Sequence, residues 1–307
     1  MSDLQEKAGA NTALVAYAIL TLTTMMWGAN SVAGRLATGH ISPGMLTLLR
    51  WAGAFLILLL VSWPRLKADW PKLRRAMPHL MMLGAMGFAI FNIFLYTALN
   101  YTTAVNGAIA QAGIPVVVFL FNFLIYRLKP SALQVIGLLL GITGVALVAV
   151  RGNPSNIATL SVNFGDALLI GALIAYGGYT VALRSKPESL HWQSTMTGMS
   201  FGAFLISIPY AVWEYSADRL VMPDTIGWGI VAFAIIFPSI LSQSLYIRGN
   251  ELIGGNRAGL FINLVPIWGT ILAILVLGET FAIWQAVALG LTLGGITLAE
   301  RFKPKAQ

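Results

Sequence analysis

The sequence predicts an all-α integral membrane protein of ten transmembrane helices, laid out as two inverted five-helix repeats around a central cavity. Three observations carry that prediction. Of 307 residues, 57% are hydrophobic and only 10% charged, against roughly 25% charged in a soluble domain. Ten apolar stretches of spanning length follow one another with short connections. The second half of the chain then repeats landmarks of the first at a nearly constant offset.

The composition sets the solvent. A mean hydropathy of +0.78 leaves too little polar surface to cover a water-soluble core, so lipid must solvate much of the chain. Glycine is abundant at 31 residues, which suits close helix approach in a bilayer. The absence of cysteine excludes disulfides, thiolate metal sites and cysteine nucleophiles. A net charge of +8 reads as membrane topology rather than nucleic-acid binding, because basic residues collect in cytoplasmic loops. Met1 to Ala10 mixes Asp3, Glu6 and Lys7 and has no basic n-region or small-residue cleavage site. The apolar run that follows is too long for a signal-peptide core and reads as a retained first span.

The spans fall at 11–33, 43–62, 76–98, 102–125, 131–150, 164–184, 193–214, 226–249, 254–278 and 281–300. Turn and helix-start signals separate them: Ser42-Pro43-Gly44, Lys129-Pro130, Asn153-Pro154, Lys186-Pro187 and Pro223-Asp224. With the N-terminus cytoplasmic, that side collects Lys7, Arg65, Lys67, Lys72, Arg74, Arg75, Arg127, Lys129, Arg184, Lys186, Arg248, Arg257, Arg301, Lys303 and Lys305. The outer side keeps Arg35, Arg151 and Arg219. So lopsided a split places both termini in the cytoplasm of a bacterial inner membrane. Arg50 alone stays inside a span; it could neutralise a helix C-terminus or a carboxylate substrate, but snorkelling to the outer interface is the favoured reading.

The repeat is legible residue by residue. Pro115 and Pro266, Gln134 and Gln285, and Gly144 and Gly295 are each 151 positions apart, while Gly28 and Gly177, Val32 and Val181, and Arg35 and Arg184 are 149 apart. The units are residues 1–150 and 151–307. Five spans per unit is an odd number, so the second copy enters the membrane from the opposite side. Such inversion is the architecture of many secondary transporters, whose site lies near the midplane between repeats.

Several runs carry a family resemblance. Met26-Trp27-Gly28-Ala29-Asn30-Ser31, Leu49-Arg50-Trp51, Leu95-Tyr96-Thr97-Ala98-Leu99 with Thr102-Thr103-Ala104, and Leu277-Gly278-Glu279-Thr280 with Trp284-Gln285 occur in order. Together they resemble the EamA-type branch of the drug/metabolite transporter superfamily, and within it the YddG-type aromatic amino-acid exporters. The resemblance implies a ten-helix basket around a central cavity that exports aromatic and other neutral amino acids. Tyr176-Gly177-Gly178-Tyr179 departs from the Trp-Gly-x-Asn wording of the first copy, so the two halves are not expected to contact cargo alike.

Polar and aromatic residues within spans are the candidate cargo contacts, because they are costly in hydrocarbon unless they face a cavity or another helix. These are Trp27, Asn30, Asn92, Tyr96, Gln111, Tyr176, Tyr179, Gln243, Tyr246, Asn263 and Trp268. Amides and hydroxyls serve both the ammonium and the carboxylate of an amino acid without a fixed charge. Their alternative use is interhelical hydrogen bonding, worth about 0.6 kcal/mol apiece. Tyr17, Trp51, Trp63, Trp70, Trp192, Trp213 and Tyr215 read as interfacial anchors. Pro115 and Pro266 read as paired hinges or static bends, whereas Pro209 and Pro238 have no counterpart.

Rival functions are weighed on the same residues. Every acid in the helical region lies near a span end (Asp166, Glu214, Glu251, Glu279 and Glu300), which leaves no deep carboxylate for a proton or a cationic drug. A phosphorylated-sugar exchanger would carry several intramembrane cations, and Arg50 stands alone. A membrane-embedded enzyme is disfavoured, since His40, His79 and His191 lie in or beside loops with no converging partners. No cofactor or metal is expected. The expected partners are a small-molecule substrate and the bilayer. Gly290 and Gly294 could serve a helix dimer or packing within the chain, and a monomer is favoured.

Overall fold

The computed structural model describes residues 2–127, 131–150, 152–153, 163–185 and 190–301. The turns expected at Lys129-Pro130, Pro154 and Lys186-Pro187 lie outside the described residues, as do Arg151, Lys303 and Lys305. Ten helices follow in order: α1 (Ser2–Leu36), α2 (Pro43–Val61), α3 (Trp63–Ala98), a broken α4, α5 (Ala132–Ala149), α6 (Phe164–Ala182), α7 (Trp192–Ser216), α8 (Thr225–Ile253), a broken α9 and α10 (Ile283–Arg301). The broken helices are α4a (Ala104–Gln111) with α4b (Ile114–Tyr126), and α9a (Gly255–Phe261) with α9b (Val265–Leu277). Among the described residues nine helices are long and apolar enough to cross a membrane, and Ile283–Leu298 is a shorter apolar tenth.

Most boundaries fall within a few residues of the expected spans; α1 begins at Ser2 rather than 11, and α3 departs furthest. It opens at Trp63, with Pro64 in its first turn, well ahead of residue 76. Its leading segment is basic and amphipathic and buries Leu66, Leu73 and Ala76, so a search for apolar stretches passes over it.

Helix starts are capped locally and from a distance. Ser131 and Gln134 form a capping box, and Thr103, Asn163 and Asp224 each accept an amide of their own first turn. Three carboxylates reach across to other helices. Glu279 accepts from the N–H of Ala104 at 2.8 Å and of Val105 at 2.9 Å. Glu214 accepts from Ser42 Oγ at 2.6 Å and Gly44 N at 2.9 Å. Asp69 accepts from His191 N at 3.0 Å and Ser194 Oγ at 2.7 Å.

The repeat reappears in backbone detail. A π-helical segment interrupts α3 at Ala85–Ile90 and α8 at Ile235–Leu241. Pro238 lies inside the second segment, so its bend does have a counterpart in the first repeat, made there without proline. The break in α4 at Ala112 and Gly113 matches the 3-10 turn Ile262–Leu264 in α9, and Pro115 and Pro266 follow in the first turn of the next segment. Arg127 (φ 52°) and Gly278 (φ 65°) close the two broken helices in the same left-handed conformation. Gln134 and Gln285 each accept the backbone N–H three residues earlier, at 2.9 and 2.8 Å.

Glycine sets the closest helix contacts. A Cβ on Gly84 of α3 would lie 1.9 Å from the Met199 carbonyl oxygen of α7, and one on Gly202 of α7 would lie 2.4 Å from Met81 Cα. Gly144 of α5 and Gly295 of α10 bring those two helices together in the same way, against Thr292 and Gly137. A Cβ on Gly290 or Gly294 would meet nothing within 4 Å among the described residues.

The inverted symmetry is broken where the broken helices meet their neighbours. α4a packs along α9b, whereas α4b lies on α6 and α9a lies on α8 and α1. The bundle is therefore drawn together at the Glu279 end. There Gln285 Nε2 donates to Asn106 Oδ1 at 2.7 Å, Arg35 Nη1 donates to Leu99 O at 2.6 Å, and His40 Nδ1 meets Asp224 Oδ2 at 2.7 Å.

Gly84→Val places a side chain against backbone that cannot yield, and the expected loss is about 1–3 kcal/mol. Gly290→Val, facing open space, should stay within about 0.5 kcal/mol of the parent. Thermal unfolding of both variants in detergent checks the pair. The Gly227 amide, and then His40, hold the Asp224 carboxyl below its usual range. A depressed pKa contributes stability above the ordinary aspartate range, about pH 4, and loses it as pH falls through the lowered value. Melting temperatures of the parent and Asp224→Asn should therefore differ at neutral pH and converge in acid.

Candidate functional site

The centre of the bundle is organised by Arg50. It lies in α2 and is only 4% exposed. Its Nη1 donates to Asn30 Oδ1 of α1 at 2.8 Å, to Asn92 Oδ1 of α3 at 2.9 Å and to Tyr96 OH of α3 at 2.5 Å. Its Nε donates to Ser239 Oγ of α8 at 2.7 Å. The guanidinium thus joins four helices. The expectation that Arg50 snorkels outward is corrected: three neighbouring helices enclose it.

Local structure explains each partner. Asn92 and Tyr96 are four residues apart, so they share one face of α3 just after its π segment. Tyr96 OH donates to Asn30 Oδ1 at 2.7 Å, which fixes the orientation of both groups. Ser239 lies inside the α8 π segment, where its hydroxyl donates to Ala234 O at 2.7 Å and leaves lone pairs facing Arg50.

The charge of Arg50 is held by neutral oxygens. The described acids with contacts are engaged elsewhere: Asp69, Glu214 and Glu279 at helix starts, Asp224 with His40, and Glu251 with Arg248. Taking an ion out of water costs several kcal/mol even after relaxation, and dipoles offset that only partly. A guanidinium carries five N–H groups, of which Nε and Nη1 account for three. Nη2 has no hydrogen-bond partner among the described residues.

Aromatic rings extend from this cluster. Arg50 Cζ sits 4.8 Å from the Trp51 ring, and Trp51 stacks on Phe88 with centroids 4.4 Å apart. Phe88 meets Tyr179 at 5.7 Å, Tyr179 meets Tyr176 at 5.3 Å, and Tyr176 meets Phe91 at 4.9 Å. Trp27 and Tyr246 pair at 5.3 Å. Trp51 is 2% exposed and donates its indole N–H to Phe88 O, which corrects its reading as an interfacial anchor.

The structure therefore sorts the candidate residues. Asn30, Asn92 and Tyr96 converge on Arg50, and Trp27, Tyr176, Tyr179 and Tyr246 form aromatic contacts nearby. Gln111 donates to Ser31 Oγ at 2.7 Å and to Gly107 O, so it stitches α4a to α1. Trp268 lies on α9b beside Gly28, and its buried indole nitrogen has no partner among the described residues. Gln243 and Asn263 are half-buried and join no cluster. Sequence reasoning weighed a substrate contact for Arg50 but favoured snorkelling and left it out of the candidate set; its solitary place within a span was the signal available. The bundle is packed at Arg50 and half-buried around Trp27, Tyr176 and Tyr246. An apolar groove of about 440 Å³ between α3 and α7, lined by Ile93, Ile206 and Trp213 among others, contains none of the candidate residues.

Two inverted helical halves, each with a proline-marked broken helix, around a buried polar centre define a membrane carrier for small solutes. The model of the EamA-like transporter family matches the chain twice, over residues 14–150 and 163–300, and the protein belongs to that family. Among similar proteins is the uncharacterized transporter YetK of Bacillus subtilis, 24% identical and aligned over 95% of this chain and 89% of that one. YyaM of the same organism, also described as an uncharacterized transporter, is 26% identical over 92% and 93%. An uncharacterized transporter of Archaeoglobus fulgidus is 25% identical over 91% and 95%. One solved structure superposes with a TM-score of 0.62 at 17% identity, covering 97% of this chain and 99% of that one, which supports the fold.

Removing one acceptor leaves Arg50 short of a partner in a buried place. Asn92→Leu should destabilise by about 1–3 kcal/mol, and Tyr96→Phe by about 1 kcal/mol. Denaturation of the two variants in mixed micelles measures both, and losses near zero for the pair would mean that Arg50 is satisfied otherwise.

Proposed function

We propose that this transporter exports small neutral metabolites, aromatic and other neutral amino acids foremost, from the cytoplasm of a bacterium across its inner membrane by alternating access. The observation that carries the reading is the meeting of an amide and hydroxyl cluster with a run of aromatic rings at the centre of the bundle. An amino acid needs donors for its carboxylate, acceptors for its ammonium and an apolar or aromatic wall for its side chain. The one charge buried among the described central residues is positive, which disfavours the cationic drugs that other members of the superfamily carry.

The charge distribution of the loops supports cytoplasmic termini. In that orientation the Glu279 end faces outward and is closed, while α4b and α9a stand apart on the cytoplasmic side. Pro115 and Pro266 then serve as hinges, and the second state exchanges the two arrangements: α9a closes on α4b as α4a leaves α9b. Glu279 is the latch of the outer side, because its carboxylate holds the first turn of α4a.

Radiolabelled phenylalanine or tryptophan offered to proteoliposomes, with and without an imposed pH gradient, tests the substrate. Uptake should occur without the gradient, since no central acid is seen to carry a proton. No amino-acid uptake by demonstrably folded protein would remove the substrate assignment. For the latch, Glu279→Ala forfeits a cap worth about 1–2 kcal/mol. Spin labels on Tyr101→Cys and Phe281→Cys, unambiguous in a chain without cysteine, should then report a longer and broader distance at the outer end. An unchanged distance distribution would show that Glu279 does not hold that end shut.

A further inference from the structure

We infer that Arg50 is the carboxylate anchor of this carrier, and that its cargo is a solute with one carboxylate group. The inference rests on the transport reading above and narrows its substrate class. Three features of the site lead to it.

The first is burial without neutralisation. Arg50 is 4% exposed, and every hydrogen-bond partner it has (Asn30, Asn92, Tyr96 and Ser239) is uncharged. A structural arginine in such a place normally has a carboxylate opposite it. The acids of this chain with described contacts are spent at helix starts and on the Arg248–Glu251 pair within α8. The second is directed valence. The four side chains occupy Nε and Nη1, so the two diverging N–H groups of Nη2 are left, and a carboxylate oxygen can accept one of them in a charge-assisted hydrogen bond. The third is singularity. In the inverted copy the position 149 residues on is Met199, so the centre has one guanidinium and no second cation among the described residues. A phosphoryl group would ask for more. The ring sequence Trp51, Phe88, Tyr179 and Tyr176 starts beside the guanidinium, so a side chain carried by the same solute has an aromatic wall to lie on.

The test is competition binding to the purified full-length protein, read as displacement of radiolabelled phenylalanine. L-Phenylalanine and 3-phenylpropionate, which keep the carboxylate, should compete. Phenethylamine, which keeps the ring and the ammonium alone, should be about tenfold to hundredfold weaker, the range expected for hydrogen bonds to a charged group. Arg50→Lys should retain the preference for carboxylates, and Arg50→Gln should lose it while ring-bearing ligands still bind. A merely structural arginine would change affinity for all three ligands together. Equal competition by phenethylamine and phenylalanine overturns the anchor and leaves the transport reading intact. If no amino acid binds but simple carboxylates such as lactate or benzoate stabilise the protein in a thermal-shift assay, the amino-acid reading fails and the anchor stands. Stabilisation by chloride, with none by any carboxylate, points to an inorganic anion and overturns the inference. The wild-type panel decides the matter even where Arg50→Gln does not fold.

Discussion

A helix that begins at the edge of hydrocarbon must find partners for its first backbone amides, and this chain meets that constraint with carboxylates. Glu214 closes the start of α2, Asp69 the start of α7, Glu279 the start of α4a, and Asp224 the start of its own helix α8. Each anion also sits at the positive end of a helix dipole. Two consequences follow. Helices distant in sequence are tied at their ends, which fixes how the repeats meet. The acids with described contacts are also withdrawn from the centre, where Arg50 is held by uncharged oxygens alone among the described residues.

The caps are not symmetric, and the asymmetry is conformational. α2 and α7 are equivalent in the two halves, and each has its start held by an acid from outside that helix. The broken helices differ. Glu279 holds α4a, while the start of α9a at Gly254 has no side-chain cap among the described residues. The end with the extra cap is the end at which α4a and α9b are packed together. A carboxylate that engages backbone amides in one arrangement and releases them in the other gives the closed end a discrete energetic identity.

Much of this was legible in the sequence. Hydropathy located the spans, the 149- and 151-residue offsets exposed the repeat, and the paired prolines marked both helix breaks. The misses share a physical cause. Arg50 looked like a snorkelling residue because its partners lie 20, 42, 46 and 189 positions away, and nothing local distinguishes a buried cation from one reaching for the interface. Trp51 looked like an anchor for the same reason, since Phe88 covers it from another helix. The early start of α3 escaped because its first turns are amphipathic rather than apolar. The π segments have no residue signature, and proline accompanies only one of them.

The two halves share a backbone plan and diverge in chemistry, and the divergence lies in the centre. Asn30 answers to Tyr179 and Arg50 to Met199 at a separation of 149, while Asn92 answers to Ser242 and Tyr96 to Tyr246 at 150. The first repeat therefore supplies charge and amides, and the second supplies rings, thioether and hydroxyls. A second guanidinium at the Met199 position would repel Arg50 across a low-dielectric centre, at a Coulomb cost that water cannot screen. Methionine in that place avoids the repulsion. It also gives the site a polar end and an aromatic end, so a solute with a charged head and a flat side chain has one orientation to adopt. In the proposed cycle inversion would let the backbone alternate, while one set of unequal side chains would meet the solute in both states.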